Sequence, residues 1–302
     1  MPADAGSGPL PFEAEAFLAH QASQRRAATL TLEAYRRDLA RLAELAGGDD
    51  VRCVTHHEIR RFVARLHAQG LAARSIARVL SAWRAFFRWL VRHRGLSANP
   101  VEGIRAPRAP RRLPRVLSPE QAQALLDPTP GDPLETRDRA MFELFYSSGL
   151  RLAELSSIVL DGSLDLDEGM VTVTGKRGKR RSVPIGRHAI EALRNWLAQR
   201  EHLAGASQHA LFVTRSGTPM SPAAVRSRLV RWAARAGLGV HVHPHMLRHS
   251  FASHLLQSSG DLRGVQELLG HASIRSTQVY THLDFQHLAR VYDAAHPRAR
   301  KR

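Results

Sequence analysis

The feature that most constrains the fold of this chain is a segment between residues 97 and 117 that is rich in proline and arginine. It contains Pro100, Arg105, Pro107, Arg108, Pro110, Arg111, Arg112, Pro114 and Arg115. Proline removes the backbone N–H that a helix interior needs and fixes φ, so this composition favours an extended, semi-rigid linker. We therefore predict two folded bodies in the 302-residue chain, a first domain at 1–106 and a second at 118–302, joined by a basic linker at 107–117.

The first body is predicted to be a small helical domain with four amphipathic helices before residue 96. The clearest helix spans 74–93 and is followed by Gly95 as a stop signal. Its apolar stripe consists of Ile76, Val79, Leu80, Trp83, Phe86, Phe87, Leu90 and Val91. A second helix is predicted at 31–46, and Thr55 with Glu58 forms a capping box for a third. The stripe predicts the core of this domain.

The second body is predicted to be mostly helical with a small β-hairpin or three-stranded sheet. Two β-rich runs, at 170–174 and 181–185, flank the basic, glycine-hinged tip Gly175-Lys176-Arg177-Gly178-Lys179. Helix starts are predicted where Ser, Pro or Asp occupies a capping or first-turn position, at Ser118, Ser221, Pro244 and Asp261. An apolar stripe predicts a last helix that ends before Pro297, with Phe285, Leu288, Val291 and Tyr292.

Charge is the strongest compositional signal. The chain has 44 Lys plus Arg against 27 Asp plus Glu, and this net charge of +17 predicts a polyanionic partner. An arginine content inflated by a GC-rich genome is the alternative explanation. We expect phosphate contacts from basic residues on the helical faces, the linker and the hairpin, namely Arg36, Arg37, Arg84, Arg88, Arg111, Arg112 and Lys179.

Other features of the composition argue against several classes of protein. No apolar run is long enough to span a membrane and no secretory leader is evident, so we expect a cytoplasmic chain without membrane insertion. Cys53 is the only cysteine, which excludes an intrachain disulfide and a cysteine zinc cluster, and we expect it to be buried. His241, His243 and His245 alternate, but Pro244 interrupts the strand, which argues against a metal site.

Residues that can carry out chemistry occur in a fixed order along the second body. The set is Arg151, Lys176, His245, Arg248, His271 and Tyr280. His245 and Arg248 are three residues apart and share a helix face, so together they can hold both oxygens of one phosphate. The order Arg, Lys, His-x-x-Arg, His, Tyr, with each residue inside a recognisable local motif, resembles the tyrosine recombinase (phage integrase) family.

The resemblance covers nearly the whole chain after residue 10. It is densest from His243 to Arg300, and the segment 31–39 is similar to the family's first DNA-binding helix. At the hairpin tip the family usually has Gly-Lys-Gly-x-Lys, whereas Gly178 stands one place later here, so either Lys176 or Lys179 could be the proton donor. The resemblance implies a two-domain clamp around the duplex, with a SAM-like helical core-binding domain and an α+β catalytic domain.

The resemblance also implies the chemistry. Tyr280 would attack the phosphodiester and form a 3′-phosphotyrosyl intermediate, while Arg151 and Arg248 stabilise the charge of the transition state without a metal or cofactor. The lysine would protonate the 5′-oxygen leaving group. His245 would accept the proton of Tyr280 or bind the phosphate, and His271 would donate a hydrogen bond to it; which histidine is the general base stays open.

Partners follow from the same resemblance. We expect a heterotetramer with a sister recombinase on a DNA recombination site, controlled by a septal DNA translocase, that resolves chromosome and plasmid dimers at cell division. The C-terminal helix would pass to a neighbouring molecule; packing on its own domain is the alternative. A non-enzymatic DNA-binding protein is disfavoured because Tyr280 and both arginines are present. A phage or mobile-element integrase, or a topoisomerase-like enzyme, would be expected to carry additional segments.

Overall fold

The computed structural model describes residues 10–48, 50–108, 116–175, 178–205, 207–259 and 261–269, without the side chains of 262 and 266. The chain divides into two compact units, Met1–Arg112 and Leu113–Arg302. The described ranges are mostly helical with one small sheet, as predicted, and each of their helices is too short or too polar to cross a lipid bilayer. The predicted C-terminal helix lies outside the described residues, as do Arg111, Arg112, Lys176, His271 and Tyr280.

The described part of the first unit is built from four helices, as predicted. They are α1 (Phe12–Ser23), α2 (Thr29–Ala46), α3 (His56–Ala68) and α4 (Ala73–Arg94), with a 3-10 turn at Val51–Cys53. The capping box of α3 is confirmed, because the Glu58 N–H donates to Thr55 Oγ1 at 3.3 Å and the Thr55 N–H donates to Glu58 Oε2 at 3.0 Å. α4 provides the centre of the core, where Trp83 is fully buried and its Nε1–H donates to the Asp38 carbonyl at 2.7 Å.

Residues 97–106, the first part of the proline- and arginine-rich segment, are folded onto the first unit instead of being extended. Val101 is fully buried and Ile104 is 7% exposed in the helical core. The Arg84 guanidinium donates to the Ile104 carbonyl at 2.9 Å, and Asn99 Nδ2 donates to the Arg84 carbonyl at 3.2 Å. Burial of the two apolar side chains and these hydrogen bonds outweigh the local preference of a proline-rich segment for extended chain.

Two further expectations for the first unit are wrong. Cys53 is exposed, because its neighbours Val51 and Val54 fill the inward positions of the 3-10 turn and leave the thiol toward solvent. Val91, predicted to belong to the buried stripe of α4, is 38% exposed because it lies at the edge of that stripe in the last turn of the helix.

The second unit contains the other helices and strands of the described ranges. They are α5 (Pro119–Leu126), α6 (Pro133–Ser148), α7 (Leu152–Ser156), β1 (Leu164–Asp165), β2 (Met170–Thr174), β3 (Arg180–Pro184), α8 (Arg187–Arg200), α9 (Pro222–Arg235), α10 (Pro244–Ser259) and α11 (Leu262–Leu269). The predicted starts are confirmed, since the side chains of Ser118, Ser221 and Asp261 each accept a hydrogen bond from the backbone N–H three residues later. α6 is buried along most of its length and packs against α8 and α10, so it forms the centre of this unit.

The sheet of the second unit is antiparallel, in the order β1-β2-β3. β2 and β3 form the predicted hairpin, with Val173 opposite Arg181 and with β3 beginning one residue earlier than predicted. The tip is closed by a hydrogen bond from the Gly175 N–H to the Lys179 carbonyl at 2.7 Å. Gly178 has φ +74°, a left-handed conformation that favours glycine. The shifted position of this glycine therefore has a conformational reason.

Two contacts of α10 hold the segments next to it. Gly149 ends α6 with φ +56°, and a side chain at this position would collide with the ring of Phe251 on α10, so both the conformation and the space require glycine. At the start of the second unit, the Leu117 N–H donates to Ser250 Oγ at 2.8 Å. The chain entering this unit is thereby attached to the middle of α10.

Candidate active site

A buried carboxylate lies at the centre of the candidate site. Glu154, on α7, is 4% exposed. Arg181 donates to Oε1 at 2.7 Å and to Oε2 at 2.9 Å, while Arg151 donates from its side chain to Oε1 at 3.0 Å and from its backbone N–H to Oε2 at 2.7 Å. Burial raises the pKa of Glu154, but the hydrogen bonds from both arginines outweigh burial and lower this pKa to about 2. Glu154 is therefore ionised at neutral pH.

Arg151 is positioned by the turn between α6 and α7. Gly149 reverses the chain at the end of α6, Leu150 is fully buried, and Arg151 becomes the N-cap residue of α7. The side chain contacts Glu154 three residues later, yet it remains 40% exposed. The buried residues Gly149 and Leu150 thus anchor the turn, while the guanidinium of Arg151 lies where an anion can approach it from solvent.

Arg248 comes from α10 and is 7% exposed. Its Nη1 donates to the Gly149 carbonyl and its Nη2 donates to the Leu269 carbonyl at 2.6 Å. Burial, together with the nearby charge of Arg151, lowers the pKa of Arg248 to about 10, so the group is still cationic at neutral pH. The guanidinium is oriented by backbone groups from the end of α6 and the end of α11.

A third arginine, Arg181, joins the site from β3, and it is not among the residues predicted from the sequence. Besides its two bonds to Glu154, its Nε–H donates to the Leu268 carbonyl at 3.4 Å. Its signal is alternation along the strand: Arg181 shares a face of β3 with the buried Val183 and lies opposite the buried Val173. A charged residue on the inward face of a strand indicates a buried ionic partner, but only once that face is known.

The other predicted residues near the site have separate environments. His245 is exposed in the first turn of α10, three residues before Arg248. Its neighbour His243 accepts a hydrogen bond from the Met246 N–H at 3.2 Å, and burial lowers the pKa of His243. Lys179 is exposed at the hairpin. Within the described ranges, His, Cys, Asp and Glu form no cluster that could hold a metal ion.

The basic residues predicted to contact DNA from the first unit fall into two groups. Arg37 and Arg88 are exposed. Arg36 forms a bidentate ion pair with Glu15 at 2.5 and 2.8 Å, and Arg84 donates to a backbone carbonyl of its own unit. Arg36 and Arg84 therefore have structural contacts that the sequence did not indicate, and a phosphate contact from either would add to them or replace them.

The geometry of the second unit suits binding of an anion. Arg151 and Arg181 bind the Glu154 carboxylate, and Arg248 lies near enough for the charges of these groups to affect its pKa. The cluster therefore carries two excess positive charges in a partly buried environment. Guanidinium groups match the planar oxygens of phosphate, and reduced screening by solvent strengthens the attraction. The structure thus brings Arg151 and Arg248 together, as predicted for a phosphate site, and adds Glu154 and Arg181 to them.

Two known domain families match this sequence. The phage integrase, N-terminal SAM-like domain, matches residues 14–94, and the phage integrase family matches residues 115–287. The tyrosine recombinase XerC of Xanthomonas campestris pv. campestris is 53% identical over 291 residues, which cover 95% of this chain and 89% of that protein. The tyrosine recombinase XerC 1 of Ralstonia nicotianae is 53% identical over 300 residues, which cover 92% of this chain and 91% of that protein.

A solved structure has the same fold. The XerH site-specific recombinase bound to the palindromic difH substrate, in a post-cleavage complex, aligns with a TM-score of 0.70 and 23% sequence identity. The alignment covers 93% of this chain and 84% of that chain. At this identity the likeness supports the fold assignment alone.

The low pKa of Glu154 predicts how the stability of the second unit depends on pH. Because folding lowers this pKa from 4.5 to about 2, the ionised carboxylate stabilises the folded state above pH 4.5, and that contribution is lost as the pH falls toward 2. At neutral pH, Glu154→Gln should therefore lower the free energy of unfolding by ~3 kcal/mol. Urea unfolding of both proteins between pH 7 and pH 2 should show this difference shrinking as the pH falls from 4.5 to 2.

The matched control for this experiment is Glu168→Gln. Glu168 is an exposed carboxylate in the turn between β1 and β2. Its replacement should change the free energy of unfolding by less than ~0.5 kcal/mol at neutral pH. A difference between wild type and Glu154→Gln that is the same at pH 2 as at pH 7 would contradict the assignment of Glu154 as the ionised centre of the cluster.

Proposed function

The chain belongs to the phage integrase family of tyrosine recombinases, and from this premise we propose that it is a XerC-type site-specific recombinase that cuts and rejoins double-stranded DNA through a 3′-phosphotyrosyl intermediate. The observation that carries the proposal is the cluster of Arg151, Arg181 and Arg248 around Glu154, within the part of the chain that matches the phage integrase family. A cationic cluster of this kind suits a reaction at a phosphodiester.

In this mechanism the two predicted catalytic arginines bind the nonbridging oxygens of the scissile phosphate. The pentacoordinate transition state carries more negative charge than the ground state, so fixed cations stabilise it preferentially. Two of the five N–H donors of Arg248 are engaged by the backbone carbonyls of Gly149 and Leu269. These contacts hold the guanidinium in one orientation before DNA binds, which avoids reorganisation during the reaction.

The remaining roles belong to side chains outside the described residues and to His245. Tyr280 would attack phosphorus and form the covalent link, and its phenol can later act as a leaving group, so the energy of the phosphodiester is retained for rejoining. Lys176 would protonate the departing 5′-oxygen, because an ammonium can give up a proton at accessible pH and a guanidinium cannot. His245 and His271 would share proton acceptance and hydrogen bonding to the phosphate.

The first test asks whether Tyr280 is the nucleophile. Wild-type protein is incubated with a nicked suicide duplex, selected from a randomised library by covalent capture on the wild-type chain, and the products are separated under denaturing conditions. Wild type should form a protein–DNA adduct, and Tyr280→Phe should form none because one hydroxyl is missing. DNA affinity should stay within ~3-fold, since the basic surface is retained. An adduct with Tyr280→Phe would contradict the assignment.

The second test separates the two lysines of the hairpin tip. Lys176→Ala should slow cleavage by ~10²-fold or more if Lys176 is the general acid. A duplex with a bridging 5′-phosphorothiolate should restore the rate, because a thiolate leaves without a proton. Lys179→Ala is the matched control, and its cleavage should change by less than ~5-fold. Rescue of Lys179→Ala in place of Lys176→Ala would transfer the role to Lys179.

We further propose that this chain acts in the cytoplasm together with a XerD-like sister recombinase. Two copies of each would assemble on one recombination site and, under the control of a septal DNA translocase, resolve chromosome and plasmid dimers at cell division. The support is the 53% identity to proteins named XerC over more than nine-tenths of this chain.

This assembly predicts a defined stoichiometry. Mass measurement of complexes formed on paired recombination sites should give two copies of this chain and two of the sister protein. Cleavage by this chain should increase when the sister protein is added, because contacts between neighbouring protomers would support each active site in the assembly. A fully active tetramer made of this chain alone would contradict the proposal.

A further inference from the structure

Arg181 is the residue through which three segments of the candidate site contact one another. It lies on β3, it binds both carboxylate oxygens of Glu154 on α7, and it donates to the Leu268 carbonyl at the end of α11. The side chain is 18% exposed, so most of it is removed from solvent. The guanidinium of Arg181 on β3 thereby joins α7 to the end of α11.

Arg181 lies on a more stable element, the β2–β3 hairpin, than Glu154, which lies on the short helix α7. β2 and β3 pair over five residues each, and Val171, Val173 and Val183 bury the inward face of the hairpin. α7 has only five residues, and a helix of that length is unstable without tertiary contacts. The contact between the two therefore fixes α7 relative to the sheet.

The two arginines that bind Glu154 have different environments. The contacts of Arg181 with the carboxylate oxygens measure 2.7 and 2.9 Å, and the side-chain contact of Arg151 measures 3.0 Å. The side chain of Arg151 is 40% exposed, against 18% for Arg181. Arg181 is thus the inner partner of the carboxylate, and Arg151 is the outer partner that faces solvent.

We propose that Arg181 is a positioning residue for the scissile phosphate. It holds Glu154 in place and neutralises it, so that the carboxylate orients Arg151 without drawing its guanidinium away from the phosphate. This inference rests on the proposed function. If Arg181 were removed, Arg151 would be the arginine left to pair with the Glu154 carboxylate. Its guanidinium would then turn inward to compensate the buried charge.

The experiment uses the full-length chain and the captured suicide duplex described above. Arg181→Gln and Arg181→Lys are compared with Arg180→Gln, which changes the exposed neighbour on the same strand. Arg151→Gln and the double variant Arg151→Gln/Arg181→Gln complete a double-mutant cycle. Three quantities are measured for each protein: the single-turnover cleavage rate at saturating protein, the DNA affinity, and the salt dependence of that affinity.

We expect Arg181→Gln to slow cleavage by ~10²-fold, as small displacements of a positioned group do. Arg180→Gln should cleave within ~3-fold of wild type. The affinity of the double variant and its salt dependence should match those of Arg151→Gln, because Arg181 itself does not contact the phosphate and a further lost contact would lower the slope by about one. The double variant should cleave no more slowly than Arg151→Gln, because Arg181 acts through Arg151.

Arg181→Lys separates geometry from charge. An ammonium keeps the positive charge but cannot bridge both oxygens of Glu154 and the Leu268 carbonyl, so this variant should also be slow. If the melting temperature shows that Arg181→Gln fails to fold, Arg181→Lys still tests the positioning role. Wild-type cleavage by Arg181→Lys would overturn the proposal, because charge alone would then suffice.

Other outcomes would also overturn the positioning role. One is a rate loss in the double variant that equals the product of the two single losses. The other is a salt slope in the double variant that is lower by about one than the slope of Arg151→Gln. The proposed function fails in a different way, because wild type itself would then form no adduct, and the inference would fall with it. An adduct that depends on Tyr280, combined with normal cleavage by Arg181→Gln, would reject the positioning role alone.

Discussion

The ionised carboxylate of Glu154 is the group on which the candidate site depends. A buried charge is costly unless it is paired and hydrogen-bonded, and here each carboxylate oxygen accepts from both Arg151 and Arg181. The donors come from the turn before α7 and from β3. One negative group therefore decides how a turn, a short helix and a hairpin are arranged, and it allows three arginines to lie close together without mutual repulsion dominating.

The arginines of the site also serve the fold. Arg248 donates to the carbonyls that follow α6 and end α11, and Arg181 donates to the neighbouring carbonyl of Leu268. The last carbonyls of a helix have no partner within the helix, so these cations satisfy groups that would otherwise need water. The orientation needed for a phosphate site and the satisfaction of helix ends are achieved by the same side chains, which makes the geometry part of the folded state.

The sequence predicts what depends on local interactions. Helix starts at Thr55 and Ser118 and the hairpin around Gly178 all follow from residues that are close together in the chain. Other features depend on contacts between distant segments. Arg181 becomes part of the site only because one face of β3 packs toward α7. Residues 97–106 are folded because Val101 and Ile104 are buried in the core of the first unit. Periodicity and composition do not contain that information.

The hydrogen bond between Leu117 and Ser250 has a mechanical consequence. The segment that enters the second unit is hydrogen-bonded through Leu117 to Ser250 of α10, and Ser250 follows Arg248 by two residues. A displacement of Leu117 would therefore be transmitted through this hydrogen bond to the helix that holds this arginine. The position of the segment that enters the second unit and the alignment of the Arg248 guanidinium are thus mechanically coupled.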